Sequence, residues 1–561
     1  MLFSYVPDLI NNQICSDMNV LRFIFILFVS NWAAAQKPSK EDSLVGSLTP
    51  EKRWWDLMSY NITIKPDYHT KTITGNNKIR YKVISEQPSE LMQIDFVKPL
   101  IIDSVTQNGK KLSFQNKGNI WYVSGVRKHK NRKYNIAVYY SGKPVESQSP
   151  PWDGGFVWGK DSLNRPWISV ACQYKGASLW YPCKNMLYDE PDEGASISII
   201  TPASLNAIGN GCLVKQQRTS DGDMQYTWKV VNLINHYGIS FYMGNYVNIK
   251  KNYTGIIGKL SMDYWVLDYN KQKAENHLIP ESIQAMKSLE HWFGPYPFYE
   301  DGFKIVEAPY IGMEHQSAIA YGNNFTKGTY KGNDVSKTGW GKKTDRIVIH
   351  EMSHEWFGNS ITAGDIADRW IQEGFAGLAE ELVLSDLFGK KAEEEFLSGR
   401  YRTIENDKPI IGRYGINEDG SSDGYVKGWA VIHMIKTVID NDEKFLQILR
   451  GLNKQFYHKV VTTKEIENYI NIQSGINFNA VYDQYLRTSQ VPVLEYFITD
   501  HKLQYRFTNC INNFTMPIKI IGIEDWISPT TSWQSYDLKN NFINQVDIDP
   551  NFYIKSYKSK E

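Results

Sequence analysis

The chain has 561 residues, more than one hydrophobic core usually serves, so roughly two to four domains are expected. An apolar share of 42% with 22% charged residues excludes a disordered chain, and a net charge of +1 without a basic block argues against nucleic-acid or membrane-surface partners. The 17 Trp and 35 Tyr report β-structure and core packing.

In chain order, the first signal is an address. From Met18 the sequence reads MNVLRFIFILFVSNWAAAQ, with Arg22, an apolar run Phe23–Val29 and then Ala33–Ala35 before Gln36. This is the layout of a secretory signal peptide cleaved after Ala35, and its apolar run is too short to span a membrane. It predicts export, to a periplasm or the cell exterior. Residues 1–17 are polar and unlike a signal n-region, which makes Met18 a second candidate start. No other segment is long and apolar enough to cross a bilayer. The five cysteines (Cys15, Cys172, Cys183, Cys212, Cys510) are too scattered for a disulfide framework, leaving room for one or two bridges, and none has C-x-x-C spacing.

A polar stretch from Gln36 to about Leu48 reads as mobile. The pattern then becomes β: Tyr60–Ile64 and Lys78–Val83 alternate apolar and polar residues around Gly75-Asn76-Asn77, and short strands continue to about Leu267. Near Asn276 the period turns helical through Ile279–Trp292, stopped by Gly294-Pro295. A short strand, Phe303–Val306, precedes a loop through Pro309–His315. A largely helical tract runs to about Thr488. Alternation returns at Leu494, Tyr496 and Ile498 and again at Leu503, Tyr505 and Phe507, a hairpin across Asp500-His501. The expected domains are 36–265 (β), 266–490 (mainly helical) and 491–561 (β).

The chemistry concentrates in HEMSHEWFGNSITAGDIADRWIQEGFA, His350 to Ala376. His350 and His354 lie four apart, so on a helix both imidazoles leave one face, about 40° from each other. Two nitrogens so placed suit one zinc ion at roughly 2.0–2.1 Å. Glu351 stands where a general base would take a proton from the hydrolytic water. Gly358, Asn359 and Gly364 can turn the chain back, and a second helix starting near Asp368 would present Glu373 as third ligand. Glu380, seven residues on and facing nearly the same way, would hold the other N–H of a ligand histidine. A metzincin is excluded, because the positions that would need Gly and His are Phe357 and Ser360.

Three more stretches carry a resemblance. Gly312-Met-Glu-His315 is similar to the G-x-M-E-N exopeptidase motif, W-x-x-E-G-F-A around Glu373 to a third-ligand segment, and Tyr425-Val-Lys-Gly428 to a Y-x-K-G element. Together with Trp180–Lys184 they resemble metallopeptidase family M1, the aminopeptidase N and leukotriene hydrolase group. The resemblance implies a multidomain α+β protein: a saddle-shaped antiparallel β-domain, a thermolysin-like catalytic domain and a small β-sandwich, without the C-terminal helical domain of larger members.

It also implies a zinc-dependent aminopeptidase with one zinc per chain on His350, His354 and Glu373, Glu351 as base and Tyr425 as oxyanion donor. Glu314 would anchor the substrate ammonium with Gln173 beside it, and Gly312, Met313 and His315 would complete the peptide site. A neutral amide at Gln173 is the choice of the leukotriene branch, and His315 replaces the usual Asn. Partners would be peptides with a free N-terminus, with no nucleic acid. Epoxide hydrolysis at the same zinc and a non-catalytic peptide-binding homologue stay open as alternatives.

Overall fold

The computed structural model describes residues 44–173, 176–499, 501–538 and 544–560. The stretch expected to be a signal peptide and Cys15 lie outside the described residues.

The N-terminal part is built from sheets. Trp55–Asp67 and Thr72–Val83 pair antiparallel as the middle of an eight-stranded sheet, each burying every second residue, as the alternation demands. Four-stranded and three-stranded sheets pack with it over a core that includes Trp54, Trp55, Tyr81, Trp180 and Tyr181. The Trp180–Lys184 signature belongs to this core. Lys184 is buried, donates to Trp55 O at 2.5 Å and pairs with Asp189, while Asn77 Nδ2 donates to Pro182 O at 3.0 Å. The signature is therefore a fixed knot behind the Gln173 loop.

Tyr246–Gly255 and Gly258–Leu267 form a hairpin that continues through Phe303–Glu307 and Ile319–Tyr321 to Gly312–Met313. This five-stranded mixed sheet backs the helical domain, so the strand Gly258–Leu267 runs straight through the expected division at 265/266. Four helices matter for the site: α1 (Ile279–Phe293), α2 (Arg346–Ser353), α3 (Trp370–Phe388) and α4 (Val426–Ile439). Helix α3 is buried over nearly its whole length, and its Gly374 lies against Gly428 of α4, where a Cβ would sit 3.1 Å from the Gly428 carbonyl carbon. The Lys427-Gly428 pair is thus structural: the glycine lets two helices touch, and Lys427 Nζ is tied to Thr488 O at 3.1 Å.

The C-terminal part has the expected hairpin, Val493–Thr499 with Lys502–Thr508, pairing Leu494 with Phe507, Tyr496 with Tyr505 and Ile498 with Leu503. Gln534–Asp537 and Lys555–Lys558 complete a four-stranded sheet whose apolar face joins the helical core. One expectation fails. The chain is not loose as far as Leu48, because residues 44–46 form a helical turn docked on the protein. Cys172, Cys183, Cys212 and Cys510 are free thiols. Among the described residues, no helix is long and apolar enough to cross a membrane.

Candidate active site

Helix α2 is short, running only from the Asp345 cap to His354. Asp345 caps it, accepting from Val348 N at 3.4 Å, and the same carboxylate takes Tyr321 Oη at 2.7 Å and Asn323 Nδ2 at 2.9 Å. His350 falls in its last turn and His354 at its C-cap. Each imidazole is clamped by Nδ1. His350 Nδ1 lies 2.8 Å from Glu380 Oε1, whose other oxygen receives Arg346 Nε at 2.5 Å. His354 Nδ1 lies 3.0 Å from the Phe357 carbonyl. Fixing Nδ1 turns both Nε2 atoms inward.

They converge on one carboxylate oxygen. Glu373 Oε2 stands 3.4 Å from His350 Nε2 and 3.6 Å from His354 Nε2, and this buried atom has no hydrogen-bond partner. An orphaned carboxylate oxygen facing two aligned imidazole nitrogens is costly unless a cation completes it. The ligand types and their convergence fit zinc. The charges agree. Burial alone would favour neutral histidine, yet Glu373 and Glu380 raise His350 to about 10, the mark of a pocket that favours positive charge. Burial also opposes ionisation of Glu373, but the histidines and Arg369 hold it at about 2.

A second carboxylate layer faces this centre. Glu314, Glu351 and His354 offer oxygen and nitrogen atoms within 4.8 Å of one another. Burial pushes Glu351 up to about 8. Gly312 lies against it, where a Cβ would come within 2.5 Å of Glu351 Oε1, so a side chain at 312 would displace the carboxylate. Gln173, from the β-rich part, donates through Nε2 to Glu314 Oε1 at 3.2 Å and to Glu373 Oε1 at 3.1 Å. Tyr425 opens α4 with its ring 6.1 Å from that of His350, and its hydroxyl is 3.3 Å from Arg369 Nη1.

Residues 280–485 match the sequence profile of the "Peptidase family M1 domain". The chain carries a peptidase family M1 domain. Over 339 residues it is 24% identical to glutamyl aminopeptidase of Sus scrofa, covering 56% of this chain and 34% of that protein. Over 341 residues it is 25% identical to endoplasmic reticulum aminopeptidase 1 of Homo sapiens, covering 58% and 35%. The chain thus spans about a third of the length of these curated relatives. The fold is shared with an M1 zinc metallopeptidase of Deinococcus radiodurans, a variant solved with a Tyr-Ser-Ala substrate: TM-score 0.65 at 17% identity, covering 80% of this chain and 98% of that one.

The fold brings His350, His354, Glu373, Glu351, Glu314, Tyr425, Gly312 and Glu380 of the matched domain into one locality with Gln173, which comes from outside it. Two expected contacts fall away. His315 is fully buried, its Nδ1 is 2.7 Å from Tyr242 Oη, and burial pushes it down to about 3. Met313 is buried in the N-terminal core, so only its backbone remains for a substrate. The reason is a tight turn: His315 N donates to Met313 O at 2.9 Å, so the chain folds around Glu314 and His315 is carried toward Tyr242. Sequence reasoning missed Tyr237, Arg369, Asp419 and Asn359. Tyr237 Oη accepts from Gln372 Nε2 at 3.1 Å, and burial, with Glu314 and Glu373 close by, pushes the phenol well above its ordinary range. Arg369 Nε donates to Asp419 Oδ1 at 3.1 Å. Asn359 Nδ2 holds the Glu314 carbonyl at 3.0 Å.

Proposed function

We propose that this chain is a zinc-dependent aminopeptidase that hydrolyses the first residue from peptides with a free N-terminus. The observation that carries the reading is the unpartnered Glu373 Oε2 facing the Nε2 atoms of His350 and His354. These three residues would hold one zinc ion, which when bound supplies Lewis-acid polarisation and a lowered pKa for water.

The remaining roles belong to the chain's own groups. Glu351 takes the proton of the attacking water and passes it to the leaving amine, and its burial brings its proton affinity near the working range. Tyr425 donates its phenol proton in a hydrogen bond to the developing oxyanion, with Arg369 Nη1 3.3 Å from the hydroxyl to fix its direction. Glu314 supplies the anion for the substrate ammonium, and the neutral Gln173 amide shares that site across the cleft. Gly312–Met313 is an edge strand of its sheet, and an extended peptide backbone would pair along it. Export through the leader ending at Ala35 is part of the proposal, supported by the sequence pattern.

Aminoacyl-nitroanilide hydrolysis, with and without a chelator, tests the activity. Turnover that is lost on chelation and restored by zinc supports it; turnover indifferent to metal removal counts against it. Replacing Glu314→Ala should raise KM for free-amine substrates and weaken binding of free amino acids with zinc content intact, and unchanged affinity for both would remove its role as anchor.

A further inference from the structure

The docked turn at 44–46 is held from two sides. From the β-rich part, Lys52 Nζ donates to Val45 O at 2.8 Å and Gln93 Nε2 to Leu44 O at 3.3 Å. Both donors are buried and belong to one network: Lys52 pairs with Asp95 at 2.7 Å, and Gln93 accepts from Thr49 Oγ1 at 2.8 Å. A fully buried ion pair contributes little net stability, so its use here is to fix a position. On the opposite side Gly46 is pressed onto backbone. A Cβ there would lie 2.5 Å from Asn417 N and 2.6 Å from Ile416 C. Ile416 and Asn417 lie in the loop that carries Asp419, the partner of Arg369, and leads to Tyr425. The turn thus clasps the β-rich part to the loop beside the catalytic tyrosine.

Between the clasp and the site lies a cavity. Its lining includes Gln173, Tyr237, Val45 and Gly46, with Ile366 and Ile416 as apolar wall. Gln173, which lines the cavity, also donates to Glu314, so the cavity and the ammonium anchor share this residue. With the ammonium on Glu314 and the scissile carbonyl at the histidine–glutamate centre, what remains of the first residue is its side chain.

We infer that Val45 and Gly46 form the far wall of the pocket for the first side chain and set its size limit. This rests on the aminopeptidase reading. The clasp admits small first residues and turns away large ones because the wall is braced by buried polar groups and cannot yield.

The test uses the full chain loaded with zinc, beside Gly46→Val, Gly46→Ala and a chain lacking 44–46. Thermal unfolding and zinc content identify the folded variants. The ratio of kcat/KM for Trp- over Ala-nitroanilide should rise about tenfold or more in Gly46→Val and in the deletion, with Gly46→Ala between, the scale expected when a pocket wall is opened. Calorimetric affinity for free L-tryptophan relative to L-alanine should shift the same way. N-acetylated substrates should stay uncleaved. An unchanged ratio in folded variants overturns the inference alone, as does cleavage of N-acetylated substrates, which would put the wall at the amine end. An unaltered chain that neither turns over nor binds these amino acids overturns both this inference and the function beneath it.

Discussion

Two buried clusters in the helical domain use the same side-chain types to opposite ends. One is His350, His354 and Glu373; the other is His433, Glu381 and Glu393. In the second, every direction is filled. His433 Nδ1 lies 2.8 Å from Glu381 Oε1, its Nε2 lies 2.9 Å from Asn551 Oδ1, Trp429 Nε1 donates to Glu381 Oε2, and the Lys436 ammonium pairs with Glu393. A lysine from the chain already stands where a cation would. In the first cluster Glu373 Oε2 stays unpartnered while the imidazoles are oriented by their outer nitrogens. Composition and burial do not make a metal centre; an unfilled direction shared by several donors does.

The comparison can be broken at several points. Its largest effect lies at the first cluster: Glu351→Gln should lower kcat about 10²–10⁴-fold with zinc content intact, the range for a lost general base. Loss of zinc instead would make Glu351 a ligand. Tyr425→Phe should follow at about 10²–10³-fold in kcat, read with KM nearly unchanged. At the second cluster the sign of the experiment changes. Glu381→Gln breaks a buried pair and should cost roughly 3–5 kcal/mol in denaturant unfolding while leaving bound zinc unaltered.

The smallest effect is a pH slope. Burial of Glu381 opposes ionisation, but His433 and Lys436 hold it at about 2, below the ordinary value of about 4.3. A depressed carboxyl stabilises the fold above its unfolded pKa, and that contribution fades as pH falls from about 4.3 toward 2. The unfolding midpoint should fall across that window, and Glu381→Gln should flatten the fall.

Much of the site was legible because helical spacing is strict. Four residues place His350 and His354 on one face, and seven place Glu380 below Glu373. Arg369, four before Glu373, obeyed the same rule, but a charged residue at helical spacing has too many ordinary explanations to stand out. Tyr237 left no local trace, since it arrives from the β-rich part through tertiary packing. His315 misled because adjacency to Glu314 reads as shared function, while the tight turn closed by His315 N and Met313 O sends its ring to Tyr242. In the fold, alternation placed the 493–508 hairpin residue by residue. It could not show that the strand at 258–267 pairs forward with Phe303–Glu307, because alternation says nothing about which neighbour a strand finds.

Anomalous diffraction at the zinc edge, on crystals of zinc-loaded protein, tests the central claim most directly. A single strong peak within about 2.0–2.2 Å of His350 Nε2, His354 Nε2 and a Glu373 oxygen is the predicted result. No peak at that position, or the metal lodged instead among Glu381, Glu393 and His433, would contradict it.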